Sequence, residues 1–186
     1  MAFGFPDEVA QISTAMQQAD SIKGGSLVFL AAASNEGSNG QEMFPAFMEY
    51  VISVRGTEHH GGFYGSYDPP PAPWNEGSPL YGTLGHQVPY DLSSDDMTMS
   101  GCSPATVIMA GIVALIQQYV AESGIFDENV RRHIHTRRGI LQILKGIGVS
   151  RGNNRYYIAP WPLLEWDDEK RQDYIRTQIG RLPTRR

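Results

Sequence analysis

The segment from Gly101 to Thr106 contains the residue types that can hold a nucleophile at the start of a buried helix. Ser103 lies between Gly101, which permits a tight turn, and Pro104, which is favoured in the first turn of a helix. Because Pro104 disfavours helical dihedral angles at the preceding residue, we expect Ser103 to be the N-cap of the apolar helix that follows. Its hydroxyl would then lie at the positive end of the helix dipole, where free N–H groups stabilise negative charge. A serine that only caps the helix is the alternative interpretation.

A second candidate segment lies upstream, where a continuous apolar run ends in a polar turn. The run from Leu27 to Ala33 is typical of a strand that is buried on both faces of a parallel sheet. Ser34, Asn35 and Glu36 follow it directly. Active sites of open parallel sheets lie beyond the carboxyl ends of the strands, so we predict that these residues belong to a site. The side-chain amide of Asn35 can donate a hydrogen bond to an oxyanion there.

Together, the two segments resemble the two signature blocks of the subtilisin-like serine peptidases. Residues 31–37 have the sequence Ala-Ala-Ala-Ser-Asn-Glu-Gly, and residues 101–106 have the sequence Gly-Cys-Ser-Pro-Ala-Thr. In that family the first block supplies the asparagine of the oxyanion hole and the second supplies the nucleophile. The resemblance implies that Ser103 is the nucleophile, that Asn35 and the Ser103 N–H bind the oxyanion, and that the substrate cleft includes three residues, namely Ala32, Ala33 and Ser34.

Further matches lie between the blocks, and the resemblance covers about residues 8–121. Phe44 to Ala46 and Tyr50 to Val54 resemble the family's Tyr-Pro-Ala turn and the strand after it, and Leu84 to Val88 resembles the strand that leads to the serine. Within the serine block, Cys102 replaces a threonine and Val107 replaces a proline.

The blocks that carry the family's catalytic Asp and His are not found upstream of Asn35. In the family the order is Asp, His, Ser, whereas all the histidines of this chain follow Asn35; they are His59, His60, His86, His133 and His135. We expect His60 in an exposed loop and the His133–His135 pair on a solvated helix face among arginines. We predict no metal and no cofactor, because no cysteine or carboxylate cluster completes a ligand set.

The resemblance implies an α/β fold class, as part of a subtilisin-like three-layer fold with a mainly parallel sheet flanked by helices. Residues 1–121 would form the carboxyl-terminal half of a peptidase domain, and residues 122–186 would form a carboxyl-terminal extension that packs on it. The residue patterns predict a strand at 27–33, a long loop at 61–82, and helices from residue 9 to near Lys23 and at 104–120, 127–145 and 167–181.

Composition restricts the partners and the location that we expect. A formal net charge of −5 gives no basic footprint for nucleic acid, and one cysteine cannot form an internal disulfide. The amino-terminal residues lack the pattern of a signal peptide, and we expect no segment to approach the roughly 20 apolar residues of a membrane span. These features predict a cytoplasmic protein without membrane contact.

The favoured hypothesis is a serine-type endopeptidase that acts on a peptide or protein substrate through Ser103. It would be truncated and inactive alone, and an upstream segment would supply Asp and His. The first alternative is a pseudoenzyme or peptide-binding regulatory module without turnover. The second is an unrelated α/β hydrolase that uses Ser103 with another base, which is disfavoured because the Gly-x-Ser-x-Gly motif is absent. A reactive thiol at Cys102 is weighed against a packed, inert one, and the inert thiol is favoured.

Overall fold

The computed structural model describes residues 1–90 and 97–182. The strands are β1 (Phe29–Ala32), β2 (Val51–Thr57), β3 (Leu80–Leu84), β4 (Val88–Pro89), β5 (Thr98–Met99), β6 (Val149–Ser150) and β7 (Arg155–Tyr157). The α-helices are α1 (Ala10–Ile22), α2 (Cys102–Glu122), α3 (Glu128–His133), α4 (Arg137–Ile147), α5 (Trp161–Glu165) and α6 (Asp168–Gly180).

The central sheet has five strands in the order β1-β2-β3-β7-β6. The first three pairings in this order are parallel, with Ala31 opposite Ser53 and Val54 opposite Tyr81, and only β6 runs antiparallel to its neighbour β7. Strands β4 and β5 form a separate antiparallel pair just before α2. The predicted α/β class with a mainly parallel sheet is confirmed.

Helices cover both faces of the sheet. Successive residues of β2 point to opposite faces, so this strand contributes to a core on each side. Ile52 and Val54 belong to the large core that α2, α3, α4 and α6 complete. Val51 belongs instead to a smaller core with Met16 of α1 and Ala31 of β1. The arrangement is therefore a three-layer one, with α1 on one face of the sheet and α2 on the other.

Helix α2 is the central helix of the larger core. It contacts β1, β2 and β3, and its inward face is buried, including Met109, Ile112 and Val113. Its length and apolar composition would be sufficient to cross a membrane, so the expectation that no segment reaches this limit is wrong for α2. In the described fold, 44% of this apolar window is buried, so packing against the sheet accounts for part of the composition.

The segment predicted as one helix over residues 127–145 is two helices, α3 and α4. Thr136 interrupts it, because its extended backbone and side chain cap α4: Thr136 Oγ1 accepts a hydrogen bond from the Gly139 N–H at 3.1 Å. Asp127 caps α3 in the same way through the Val130 N–H at 2.8 Å. Both caps satisfy N–H groups that a helix start leaves without partners.

The carboxyl-terminal residues join the same fold rather than forming a separate layer. Strand β7 lies beside β3, which sequence patterns did not predict, and Ile158 after it is fully buried. Helix α6 lies within the helix predicted at 167–181, and its Ile175 and Ile179 are 1% exposed in the large core. Residues 122–182 thus share a core with the preceding part of the chain.

The predicted loop at 61–82 is held to the sheet by a buried ionic cluster. Arg55 of β2 is fully buried, and its Nη2 donates to Glu42 Oε1 at 2.7 Å. Its Nε lies 3.2 Å from Asp68 Oδ1, and Asp68 Oδ2 accepts from Arg155 Nε at 2.6 Å. Glu42 also accepts from the Ala72 N–H at 3.0 Å. Asp68 contacts the buried guanidinium of Arg55 directly, and Ala72 is connected to it through Glu42.

We expect Arg55→Met to lower the free energy of unfolding by about 3–5 kcal/mol, because it leaves the buried carboxylate of Glu42 without a counter-charge. Urea denaturation measures the loss. The control is Arg131→Met at an exposed position of α3, where we expect a change within about 0.5 kcal/mol. Equal effects of the two substitutions would contradict a stabilising role for the cluster.

Candidate active site

Ser103 lies in the first turn of α2, and its position differs from the predicted N-cap. Helix α2 begins at Cys102, and the N-cap residue is Gly101 with φ of 139° and ψ of −178°. This backbone conformation is almost exclusive to glycine, and it reverses the chain before the helix, so Ser103 already has helical dihedral angles. Its Oγ donates a hydrogen bond to the Ala2 carbonyl at 3.0 Å.

The side chain of Asn35 joins the turn after β1 to the start of α2. Its Oδ1 accepts a hydrogen bond from the Cys102 N–H at 2.8 Å. A backbone N–H can only donate, so the atom facing it must be the amide oxygen, and the Nδ2 group is left as a donor. Asn35 is exposed, so this donor is accessible from solvent. The structure thus brings together the two predicted residues, Asn35 and Ser103.

Cys102 is a packed thiol beneath the site. Its side chain is buried, and Sγ donates to the Ser34 carbonyl at 2.9 Å and to the Tyr67 carbonyl at 3.3 Å. Burial raises the pKa of the Cys102 thiol above its ordinary value of 9.0, which keeps the sulfur protonated and poorly nucleophilic at neutral pH. This geometry agrees with the inert thiol favoured by the sequence.

An open cleft of about 300 Å³ lies in front of Ser103. Its lining includes Ala32, Ser34, Asn35, Glu36, Met43, Cys102 and Ser103. The amino-terminal segment Ala2 to Gly4 also lines it, and no sequence signal placed this segment at the site, because it is more than half the chain away from Ser103. Ala33 is fully buried and is not among the residues that line the cleft, so its predicted part in substrate binding stays a prediction.

All five histidines are described, and the hydrogen bond of Ser103 Oγ goes to none of them. His59 and His60 contact each other after β2, and His60 pairs with Glu58 at 3.1 Å. His86 stacks on Tyr64 at a centroid distance of 4.9 Å, and its buried Nδ1 has no hydrogen-bond partner among the described residues. His133 Nδ1 lies 2.8 Å from the Asn129 carbonyl. The described residues therefore give Ser103 no general base.

The described ranges also contain no group of three or more His, Cys, Asp or Glu side chains placed to hold a metal ion.

We expect Gly101→Ala to destabilise the chain by about 1–3 kcal/mol, because φ of 139° is strained for alanine. A Cβ at this position would also lie 2.8 Å from Asn35 Nδ2 and displace that side chain. The matched control is Gly111→Ala within α2, where a Cβ meets no atom within 4 Å. Alanine there should stabilise the helix by about 0.5–1 kcal/mol, and urea titration distinguishes the two signs.

We expect the Cys102 thiol to react with iodoacetamide on the order of 100-fold more slowly in the folded chain than in the urea-unfolded chain, because it is buried and protonated. The raised pKa of the Cys102 thiol also makes the free energy of unfolding depend on pH. The contribution of the protonated thiol is present at neutral pH and falls as the pH rises above 9.0, because the thiol of the unfolded chain ionises first. Similar rates in both states would instead indicate an accessible thiolate.

Several solved structures have a similar fold. The Prenylagaramide maturation protease PagA matches with a TM-score of 0.63 and 16% identity, over 97% of this chain and 61% of that chain. The Patellamide maturation protease PatA matches with a TM-score of 0.59 and 16% identity, over 97% of this chain and 62% of that chain. The PatG macrocyclase in complex with peptide matches with a TM-score of 0.56 and 16% identity, over 95% and 49% respectively.

These neighbours agree with the family resemblance of the two sequence blocks at the level of the fold. No protein-family model matches the chain, and no curated protein matches it. The chain spans less than two thirds of the length of the PagA and PatA structures that it matches. It has the α/β fold of the subtilisin-like protease domains.

Proposed function

We propose that this chain provides the serine and the oxyanion-binding part of a subtilisin-like serine endopeptidase, and that it is inactive alone. The observation that carries the proposal is the position of Asn35, which the Cys102 N–H holds beside the first turn of α2 and therefore beside Ser103. The neighbours named maturation proteases support the same class of chemistry. A peptide or protein would be the substrate.

In the proposed reaction, Ser103 Oγ attacks the scissile carbonyl carbon, and the carbonyl oxygen becomes an oxyanion. The N–H of Ser103 has no intrahelical partner in the first turn of α2, so it is available to donate to that oxyanion. Asn35 Nδ2 is the second donor. The positive end of the α2 dipole favours negative charge at the same place.

The attack also requires a base that takes the proton of the serine hydroxyl. The present partner of Ser103 Oγ is the Ala2 carbonyl, an amide oxygen that accepts a hydrogen bond but is far too weak a base to remove the proton. We therefore propose that a separate segment supplies the catalytic His and the Asp that orients it. Without that segment we expect no turnover.

The second candidate function is a pseudoenzyme or peptide-binding regulatory module. The observation that favours it is the hydrogen bond from Ser103 Oγ to Ala2, which occupies the hydroxyl with the chain's own backbone. In this case the cleft between Asn35 and Ala2 would bind an extended peptide without cleaving it.

A fluorophosphonate probe, which reacts only with an activated serine, tests the proposal. We expect no labelling of the chain alone, and labelling at Ser103 after addition of a recombinant segment that carries the family's Asp and His blocks. Ser103→Ala should abolish the labelling, whereas Ser38→Ala, at an exposed serine outside the cleft wall, should not. Asn35→Ala should lower the rate by about 10²–10³-fold, a value that is known from subtilisin itself.

Labelling of the chain alone would mean that the chain contains its own general base. It would contradict the proposal that a separate segment supplies the catalytic His and Asp. If labelling fails under both conditions while a fluorescent peptide binds the chain, the peptide-binding module is the better description.

A further inference from the structure

We propose that a small cavity beside the first residues of β2 and β3 binds a tetrahedral oxyanion, either inorganic phosphate or the phosphoryl group of a phosphorylated molecule. We call it the Arg137 cavity. Its polar lining includes Ser53 of β2, Tyr81 of β3 and Arg137, the first residue of α4, and Asn75 and Ser78 complete it on the side of the loop before β3.

The cavity lies at the other end of the sheet from the candidate active site. It adjoins the amino-terminal ends of β2 and β3, whereas Asn35 follows the carboxyl end of β1, which runs parallel to β2. Anion binding here therefore does not depend on the proposed endopeptidase function.

The cavity exists because the ladder between β2 and β3 stops early. Continued past Val54, the register of the two strands places Pro79 opposite Ile52. A proline has no N–H to donate to a neighbouring strand, so the ladder does not extend to this position. The Val51 carbonyl accepts instead from Arg137 Nε at 3.3 Å. This hydrogen bond holds the guanidinium of Arg137 at the edge of β2.

The size of the cavity favours an ion over a larger ligand. Its volume is about 160 Å³, which is below the range of about 300–1,000 Å³ that is typical of pockets for drug-sized molecules. Asn75 is half-buried and Ser78 is exposed, so the cavity is open to solvent on their side. A small ion, or one polar group of a molecule that remains outside, matches this space.

The charge of the cavity is the charge of Arg137. The other charged residues that line it are Arg55 and Glu42, which pair with each other at 2.7 Å. Asp68 contacts the same Arg55 and pairs with Arg155 at 2.6 Å. Two cations and two anions therefore balance within the buried cluster, and they leave Arg137 as the uncompensated charge.

Arg137 itself forms no ion pair with a described residue. It is half-buried, and burial lowers the pKa of its guanidinium, an effect that the nearby Tyr81 and the exposed Glu49 oppose. A guanidinium in this position remains charged and is stabilised by an anion that it can reach with its remaining N–H groups.

Tyr81 adds a neutral donor. Its side chain is 5% exposed and lines the cavity, and its hydroxyl forms no hydrogen bond with a described residue. Burial raises the pKa of Tyr81 to about 12, so the hydroxyl keeps its proton at neutral pH. Because a buried hydroxyl without a partner is costly, a ligand that accepts its hydrogen bond is favoured.

Ser53 supplies a further donor from β2. Its Oγ accepts a hydrogen bond from Arg55 Nη1 at 3.3 Å, so its own proton remains available to donate. Donors therefore come from three elements, β2, β3 and α4. A tetrahedral oxyanion has more acceptor oxygens than a planar carboxylate, and they point in more directions, which suits donors arranged in this way.

The binding experiment uses the full chain and inorganic phosphate, with chloride keeping the ionic strength constant. We expect saturable binding by calorimetry. Arg137→Met should weaken it by about tenfold or more, and Tyr81→Phe, which removes only the hydroxyl, by about fivefold. The matched control is Arg138→Met, at the exposed neighbouring position of α4, which should leave the affinity unchanged.

Thermal melting without phosphate establishes that each variant is folded. Arg137→Lys provides a second test at the same position, because it keeps the positive charge but loses the planar fork of donors. Its affinity should lie between those of the wild-type chain and Arg137→Met.

Phenyl phosphate distinguishes the two sources of the oxyanion. Tighter binding of phenyl phosphate than of inorganic phosphate would assign the cavity to the phosphoryl group of a larger molecule, and equal or weaker binding would assign it to the free ion.

Three results would overturn the proposal. These are no saturable binding of the wild-type chain at up to about 10 mM phosphate, equal affinities of Arg137→Met and Arg138→Met, and unchanged affinity in Tyr81→Phe together with Arg137→Lys. Binding of acetate as tight as that of phosphate would overturn the choice of a tetrahedral ion and assign the cavity to a carboxylate.

Discussion

The hydrogen bond from the Cys102 N–H to Asn35 Oδ1 is the interaction on which the site depends. It joins the turn after β1 to the first turn of α2, two segments that are far apart in the sequence. By engaging the amide oxygen, it orients Asn35 and leaves the amide nitrogen as the donor. The same contact requires glycine at position 101, because a Cβ there would meet the Asn35 side chain and because φ is positive. The Asn35 side chain and the start of the helix are therefore held together.

Buried polar groups support this junction from below. The thiol of Cys102 donates to the carbonyl of Tyr67, and the next residue, Asp68, pairs with the buried guanidinium of Arg55. A charge without solvent is tolerated only when it is paired, so the cluster holds the loop in one position. The loop in turn positions the Tyr67 carbonyl, which accepts from the Cys102 thiol at the first residue of α2. Packing and electrostatics thus act on the site through a short chain of contacts.

The surroundings of Ser103 provide more of the geometry than of the chemistry that the proposed function requires. Ser103 has a helix start, a neighbouring amide donor and an open cleft, but its hydroxyl is hydrogen-bonded to a backbone carbonyl rather than to a base. A backbone carbonyl cannot remove the hydroxyl proton, so the proposed function assigns the base to a separate segment.

The sequence by itself determined the class of fold, and it singled out Asn35 and Ser103, which the structure places at one cleft. The apolar run before Asn35 and the serine block at the start of α2 are local patterns. Helices and strands are predicted from the spacing of apolar residues, which is a property of each segment by itself. Only the tertiary structure decided how these parts meet. Gly101, rather than Ser103, is the N-cap of α2, and its N–H donates to the Gly85 carbonyl at 2.7 Å, a contact that no local pattern predicts. Ala33 is buried and does not line the cleft, and Ala2 contacts Ser103, because long-range packing places segments that no local pattern relates.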